Sequence, residues 1–512
     1  MSHSKNVSRS AVSRRGFIQG AAGAAALGSL PVKSFAGIAD TTDNILHMSA
    51  SRIAKLLRKR KLSALEVVEA YINRQVEIDD RLNAVVMTCY ARAREEAREL
   101  DRCARRGDFA GPLHGVPMTI KDSFDTQGVI STGGTYGRQQ YVPSEDAVAV
   151  QRLRAAGAIL LGKTNTPEFT LGGVGGINTT GNMLHGSTHN PYDLTRTTSG
   201  SSGGAAAIVA AGGSPFDIGT DIGGSLRLPA HMCGVAGLKT TAGRVPRTGH
   251  IVPPGGMLDT WQQIGPIARS VDDLALIAPI ISGPDYFDTA CAPVPWNDAP
   301  VDLSRLRAVY YPHNGYSAVN EETQLAITQA AAWLKDAVAS MAQDAPTALI
   351  ETIHRTRSTL SMGDGWAWYQ RLADRWGTKH LSASMAESVA TTKPMASSAV
   401  VAAWEEADEA KSKLLTWFSR YDVLLCPVAG EPATLIDWDP AAPGEFRGAL
   451  SDVGVFNSTG WPVAVVRIGT SADGRLPIGV QVVAQPWRED VALAVARYLE
   501  QRSGGWKPST IL

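Results

Sequence analysis

Three short segments of this chain carry residues whose types and spacing can do chemistry. They are Gly115-Val116-Pro117-Met118-Thr119-Ile120-Lys121-Asp122, Ser199-Gly200-Ser201-Ser202-Gly203-Gly204 and Gly219-Thr220-Asp221-Ile222-Gly223-Gly224-Ser225-Leu226-Arg227. In the last, Ser225 follows an isoleucine and two glycines. Glycine has no Cβ to obstruct an approach, so several backbone N–H groups can turn towards one point beside the serine hydroxyl. An oxyanion hole needs that arrangement, which marks Ser225 as a candidate nucleophile for acyl transfer. A serine hydroxyl is weak until a base takes its proton, and none of the three segments contains a histidine. The candidate base is then Lys121. It follows the apolar run Val116 to Ile120, which reads as a buried strand, and desolvation at its end would favour the neutral amine that a base requires.

Two other motifs compete for attention. Gly200-Ser201-Ser202-Gly203-Gly204 satisfies the G-x-S-x-G nucleophile elbow, which would make Ser202 the nucleophile. That motif needs a strand immediately before it, whereas Asn190 to Arg196 reads as a turn and loop. Gly157 to Thr164 spells a literal phosphate-loop match, G-A-I-L-L-G-K-T. A phosphate loop needs exposed, flexible residues between its glycines, and Ala158-Ile159-Leu160-Leu161 reads as a buried strand, so nucleotide binding is not expected.

The candidate residues need elements to hold them. Ser51 to Lys61 and Ala64 to Ile78 carry apolar residues at helical spacing, and Ser63-Ala64-Leu65-Glu66 is a capping box in front of the second. Ala147 to Ala156 reads as a helix ended by Gly157 and followed by the strand Ala158 to Leu161, an alternating α/β organisation. Apolar runs at Asp422 to Pro427, Pro462 to Gly469 and Pro477 to Val483 are too short for helices and rich in Val, Leu and Ile. They read as strands of one large sheet. From about Pro284 to Arg420 the sequence turns Trp- and Ala-rich, including Trp366, Trp368, Tyr369 and Trp376. This reads as a helical insertion or cap over the sheet, with core packing the expected role for most of its aromatics.

Bulk properties bound the partners. The 512 residues are 44% hydrophobic and 19% charged, a globular composition with length enough for one or two large cores. Lysine plus arginine and aspartate plus glutamate each number 49, so no basic excess exists to neutralise a phosphate backbone, and nucleic acid is not an expected partner. Five cysteines lack any C-x-x-C pair and ten histidines lack an H-E-x-x-H pattern. Neither a disulfide framework nor a metal is expected, and no cofactor is implied.

The N-terminus reads Ser13-Arg14-Arg15-Gly16-Phe17-Ile18, then a small apolar stretch from Gly20 to Leu30, then Ser34-Phe35-Ala36. It resembles a twin-arginine export signal over residues 1–39 with a small-x-small cleavage site near Ala36 or Ala39. The apolar stretch is too short and too rich in glycine and alanine to span a bilayer, so no membrane span is expected in the mature form. The expected location is periplasmic or secreted. If the paired arginines are a chance feature of an ordinary disordered terminus, it is cytoplasmic.

The two Gly/Ser-rich segments, their 24-residue spacing from Ser201 to Ser225 and the upstream G-V-P-x-x-x-K-D resemble the amidase signature family. The run Gly474 to Gln481, G-R-L-P-I-G-V-Q, extends the resemblance over most of the mature chain. It implies an α/β fold in which a large central mixed sheet is covered by helices on both faces, as one domain over residues 40–512 with a variable helical insertion at about 284–420. It also implies that Ser225 attacks an amide carbonyl to form an acyl-enzyme, driven by Lys121 through Ser201, and that water then releases the acyl group. Ser201 would follow a cis peptide bond and return a proton to the leaving amine. Ser202 matches the serine that hydrogen-bonds the lysine, and the N–H groups of Ile222, Gly223, Gly224 and Ser225 match the oxyanion hole. Asp221 and Arg227 also match and read as structural supports of the nucleophile loop. One departure is visible, because the family usually has Gly-Gly before Ser-Ser and this chain has Ser199-Gly200. The expected partner is a small amide, anilide or carbamate-like molecule, hydrophobic or aromatic, with room for a homodimer. The alternative is an amidotransferase subunit or a non-catalytic binding member of the same fold. The export signal and Leu228, where the amidotransferase subunit usually has glutamine, argue for a free-standing hydrolase.

Overall fold

In the computed structural model the described residues are 45–172, 179–256, 259–436 and 452–511. The expected export signal lies outside them. Chain order begins with two helices, Ala50–Arg58 and Ala64–Leu82. The capping box forms as its sequence requires. The Ser63 side chain accepts from the Glu66 N–H and the Glu66 carboxylate accepts from the Ser63 N–H.

Three strands follow and form a small sheet: β1 (Val85–Thr88), β2 (Pro117–Lys121) and β3 (Ile159–Thr164), in the order β1-β3-β2. Eight more make the main sheet: β4 (Phe216–Asp221), β5 (Ala236–Lys239), β6 (Gln263–Ala268), β7 (Arg307–Tyr310), β8 (Ser340–Gln343), β9 (Val423–Pro427), β10 (Val463–Thr470) and β11 (Pro477–Ala484). Their spatial order is β8-β7-β9-β11-β10-β5-β6-β4. β7 runs parallel to β8 and β9, and the remaining pairs are antiparallel, so the sheet is mixed. The three apolar runs near the C-terminus are β9, β10 and β11, side by side at its centre.

Helices cover both faces of this sheet, which is why those runs are apolar throughout rather than alternating. On one face Ala464, Val466, Val480 and Val482 pack with residues of the helices Val271–Ile281, Glu321–Lys335 and Glu489–Ser503. On the other, Val465 and Ile267 pack with the helices Gly203–Ala210 and Arg227–Met232. Further along that face Val463 and Val483 meet Ile350 and Ile353 of the helix Thr347–Ser361. The candidate residues all lie in segments that flank this second layer.

Residues 284–420 contain several helices, among them Thr347–Ser361, Ala367–Arg375 and Ser397–Phe418. They also supply β7 and β8 to the main sheet. Each is four residues long, too short for alternation to stand out from a helix-rich surround, and β7 is fixed by burying Ala308 and Val309 between its neighbours.

The small and main sheets meet where β2 runs beside β4, but side chains replace the backbone ladder at the seam. The Thr119 N–H donates to Ser214 Oγ (3.1 Å) and the Lys121 N–H to Asp217 Oδ1 (3.0 Å). Asp217 also accepts from Thr164 Oγ1 (3.1 Å), which draws in the end of β3. The backbone donors of β2 that face β4 are thus satisfied without strand pairing on that side.

At the far end of β4, Asp221 and Arg227 close the loop that carries Ser225 on itself. The guanidinium meets both carboxylate oxygens at 2.9 Å and is fully buried with its partner. Its other donors reach Gln481 Oε1 on β11, the Val453 carbonyl and Asn457 Oδ1, each at 2.7 Å. Burial alone would raise the Asp221 pKa, but Arg227, with Lys239 and Asn457, outweighs it and holds the carboxyl below the usual range. Removing one partner of such a pair leaves an uncompensated buried charge. Arg227→Met should therefore destabilise the protein by about 3–5 kcal/mol, and adding Asp221→Asn should recover part of that loss, both read from melting temperatures.

Candidate active site

Lys121 ends β2 with its side chain fully buried. Its Nζ lies 2.6 Å from Ser201 Oγ, 2.7 Å from Thr220 Oγ1 and 3.0 Å from Ser202 Oγ. The acids whose charge reaches it are committed elsewhere, Asp221 to Arg227 and Asp217 to the seam. Burial pulls the Lys121 pKa down to about 7 against the opposing influence of Asp221 and Asp217. Ser202 Oγ faces the Thr220 carbonyl at 3.3 Å as donor and accepts the Thr220 N–H at 3.2 Å. Its proton is thereby committed, and it can only receive from Lys121. A neutral amine donates two hydrogens and accepts one. With Ser202 and Thr220 as acceptors, the nitrogen lone pair is left for the Ser201 hydroxyl, the arrangement of a base and its proton donor.

Ser201 and Ser202 stand immediately before the buried helix Gly203–Ala210, and the Gly200–Ser201 peptide is cis. Ser199, at the position where the family usually has glycine, keeps a left-handed backbone with φ 55°. Its carbonyl accepts from Thr180 Oγ1 (2.7 Å) and Thr198 Oγ1 (3.1 Å), and its N–H donates to Thr197 Oγ1 (2.9 Å). These bonds hold a conformation that costs a residue with a Cβ about 1–2 kcal/mol.

Ser225 is half-buried at the turn after β4. Its carbonyl accepts from the Ser202 N–H at 2.9 Å, which fastens the two serine segments together. Its hydroxyl makes no hydrogen bond to Ser201 or to any other described residue. Lys121 and Ser201 are therefore joined directly, while the link from Ser201 to Ser225 is open, as such links often are until substrate binds.

Of the four expected oxyanion donors, Gly224 is engaged, since its N–H donates to Asp221 Oδ1 at 2.7 Å. The N–H groups of Ile222, Gly223 and Ser225 have no acceptor among the described residues. Gly224 has φ 106°, and a Cβ there would lie 2.8 Å from both Leu228 and Val453, so the turn requires glycine twice over. Asp221 Oδ2 further accepts the N–H groups of Leu226 (3.2 Å) and Arg227 (3.3 Å).

The competing motifs resolve on the same geometry. Gly157 to Thr164 contains β3, all six residues of which are buried, and Lys163 donates to Thr126 Oγ1 and Ser131 Oγ at 3.0 Å. Before the serines, Asp193–Thr197 is a short strand rather than a loop. It pairs with His189–Asn190 in a two-stranded ribbon and makes an isolated bridge from Arg196 to Leu435, outside both the small and the main sheet, so it is not the sheet strand that an elbow requires.

The Amidase family profile matches residues 66–493. The chain belongs to the amidase signature family. It is 31% identical over 484 residues to a glutamyl-tRNA(Gln) amidotransferase subunit from Moorella thermoacetica, covering 89% of this chain and 97% of that one. To an acylamidase of Rhodococcus erythropolis it is 33% identical over 477 residues, covering 90% and 96%. Among solved structures, 6-aminohexanoate cyclic dimer hydrolase complexed with substrate superposes with a TM-score of 0.77 at 30% identity, covering 91% of this chain and 99% of that chain. Amidase signature enzymes act on C–N bonds, and these relatives include hydrolases and a transferase subunit.

Sequence reasoning did not single out several residues that shape this amidase site. Asp217 and Thr220 flank the lysine, and Asn457 donates to both Asp221 and the Trp261 carbonyl. For Asp217 a signal existed, a charged residue inside the apolar strand Phe216-Asp217-Ile218. Among the described residues no group of His, Cys, Asp or Glu is placed to hold a metal ion, and no helix is long and apolar enough to cross a membrane.

A base must be neutral to act, so if Lys121 has that role its protonation below a pKa of about 7 is expected to remove activity. The rate should rise with pH through about 7 and level above it, measured as kcat/KM against pH. Asp217 is raised by burial to about 6 and titrates nearby, so the deciding variant is Lys121→Met. It should lose the limb near 7 and about 10^2–10^4-fold in rate.

Proposed function

We propose that the chain is a serine amidohydrolase that cleaves the C–N bond of a small amide. Ser225 attacks the carbonyl carbon as Lys121 withdraws a proton through Ser201. The N–H groups of Ile222, Gly223 and Ser225 receive the charge that develops on the carbonyl oxygen. Collapse of the tetrahedral intermediate expels the amine, which leaves only when protonated, and Ser201 returns that proton. Water, activated by the same base, then releases the acyl group and regenerates Ser225. The observation that carries this reading is the buried Lys121 amine 2.6 Å from Ser201 Oγ, among hydroxyls and without a counter-ion. Accessibility supports it too, since Ser225 is half-buried and the relay behind it is sealed from water.

The substrate class is read from an apolar cavity that the aromatic-rich segment 284–420 helps to line. That cavity, of about 190 Å³, is lined by Val252, Pro253, Gln262 and Trp368, with Arg247, Asp259, Asp364 and Arg371 at its polar side, and Lys121, Ser201 and Ser225 are not among its lining residues. Such a lining favours an aryl or aliphatic group over a small polar one. A cleft of about 750 Å³ lined by Glu96, Glu145, Asp146 and Arg154 likewise includes none of the candidate residues, and its lining is acidic rather than apolar. The second reading, part of an amidotransferase, is favoured by the Moorella thermoacetica relative. Leu228, packed against Gly224, argues against it.

A panel of anilide, aliphatic amide, carbamate and ester substrates tests the mechanism. Ser225→Ala should lose about 10^3–10^6-fold in turnover of all of them, and undiminished turnover would sink the proposal. Lys121→Ala should cost amides more than esters, because an alkoxide leaves with less help than an amine. Equal losses would remove the proton relay.

We also read residues 1–39 as a twin-arginine export signal that delivers the folded enzyme to the periplasm. The described cysteines are all free, as a protein folded in the reducing cytoplasm would have them. Replacing Arg14 and Arg15 by lysine should shift activity from the periplasmic to the cytoplasmic fraction of a bacterium with that pathway. An unchanged distribution would refute the assignment.

A further inference from the structure

The helix Thr347–Ser361 sends one side chain to the nucleophile loop, and no sequence motif marks it. Arg357 donates through Nη2 to the Ile222 carbonyl. Its guanidinium lies over the Trp261 ring, 4.2 Å from the centroid, and Trp261 is itself buried. Two glycines make room for it. A Cβ at Gly223 would come within 3.2 Å of Arg357 Nη2, and one at Gly454 within 3.2 Å of its Cδ and Nε. No carboxylate pairs with Arg357 among the described residues, and its Nη1 is buried without a partner. An arginine held this way is not half of a structural ion pair, and its one defined hydrogen bond goes to the loop.

That bond fixes a direction. The Ile222–Gly223 peptide is planar and trans, so its carbonyl and its N–H point to opposite sides. We propose that Arg357 is a positioning residue of the oxyanion hole, anchoring the Ile222 carbonyl from behind so that the Gly223 N–H on the opposite edge of that peptide faces the developing oxyanion. The inference rests on Ser225 as nucleophile. It adds an electrostatic consequence, because guanidinium, peptide and oxyanion form one chain of aligned dipoles in which each hydrogen bond strengthens the next. Asp221 secures the following peptide by taking the Gly224 N–H, so the loop is pinned from two sides by groups that do not touch the substrate.

The test uses the full chain with Arg357→Met, Arg357→Lys and Ser225→Ala, an anilide from the panel, and a trifluoromethyl ketone bearing the same acyl group. The ketone adds to Ser225 and places an oxyanion in the hole, whereas an unreactive amide competitor reports ground-state binding. Arg357→Met should lower kcat by about 10–100-fold with KM within about threefold, and weaken ketone inhibition by a matching factor. Affinity for the amide competitor should not change. Arg357→Lys, which keeps a cation near the carbonyl, should recover part of both losses. Unchanged ketone affinity, or a rise in KM alone, would overturn the proposal and make Arg357 a substrate contact instead. If Arg357→Met does not fold, the same proportional fall of kcat and ketone affinity is required of Arg357→Lys. Wild-type behaviour of Ser225→Ala in both assays would remove the nucleophile reading and this inference with it. A defect confined to the Arg357 variants' KM leaves Ser225 standing.

Discussion

An ammonium group taken out of water loses several kcal/mol of solvation even after the protein relaxes around it. Lys121 is fully buried, and no carboxylate is offered to its amine. The structure instead surrounds the nitrogen with hydroxyls, which satisfy a neutral amine as well as a charged one, and burial brings the pKa down to about 7. Much of the local arrangement follows from this choice. Both nearby acids must be occupied elsewhere, or they would hold the proton on the lysine. Asp217 is occupied by backbone and Thr164, and Asp221 by Arg227.

Asp221 and Arg227 solve the opposite problem. Their charges are kept, and each remaining lone pair or N–H finds a partner drawn from distant parts of the chain. The result is a turn at Ser225 whose backbone is dictated by side chains behind it. The same carboxylate that pairs with Arg227 takes the N–H groups of Gly224, Leu226 and Arg227, which leaves Ile222, Gly223 and Ser225 with donors to offer outward. Stability and the proposed catalysis are coupled here in one group of residues. The ion pair that keeps a charge tolerable in the interior also decides which amides are free.

What the sequence makes legible is local. The capping box at Ser63 starts its helix, and Val116 to Ile120 runs as a strand into Lys121. The three apolar runs near the C-terminus lie side by side because their burial on both faces is written in composition. Ser201 and Ser225 are recognisable because glycines flank them at a telling distance. The supports are not, because their meaning depends on contacts across the chain. Arg227 reaches Gln481 over 254 residues and Asn457 over 230, and nothing in the neighbourhood of either residue announces the partner. Spacing also cannot say which of four consecutive N–H groups is already taken, as that of Gly224 is. The strands β7 and β8 escape for a different reason, since four residues carry too little pattern to compete with the helices around them.

Lys121, the proposed base, stands on β2 in the small sheet, and Ser225, the proposed nucleophile, follows β4 in the large one. Between them there is no backbone ladder, only Ser214 and Asp217 receiving the N–H groups of Thr119 and Lys121. A ladder would spread alignment over many equivalent bonds, whereas this joint concentrates it in two side chains. A slip of one residue would send Lys121 to the opposite face of its strand, so both contacts must hold for the site to exist. The distance between Lys121 and Ser225 is thus the tolerance of a joint, and Asp217, whose carboxylate takes the Lys121 N–H rather than its amine, is where that tolerance is set.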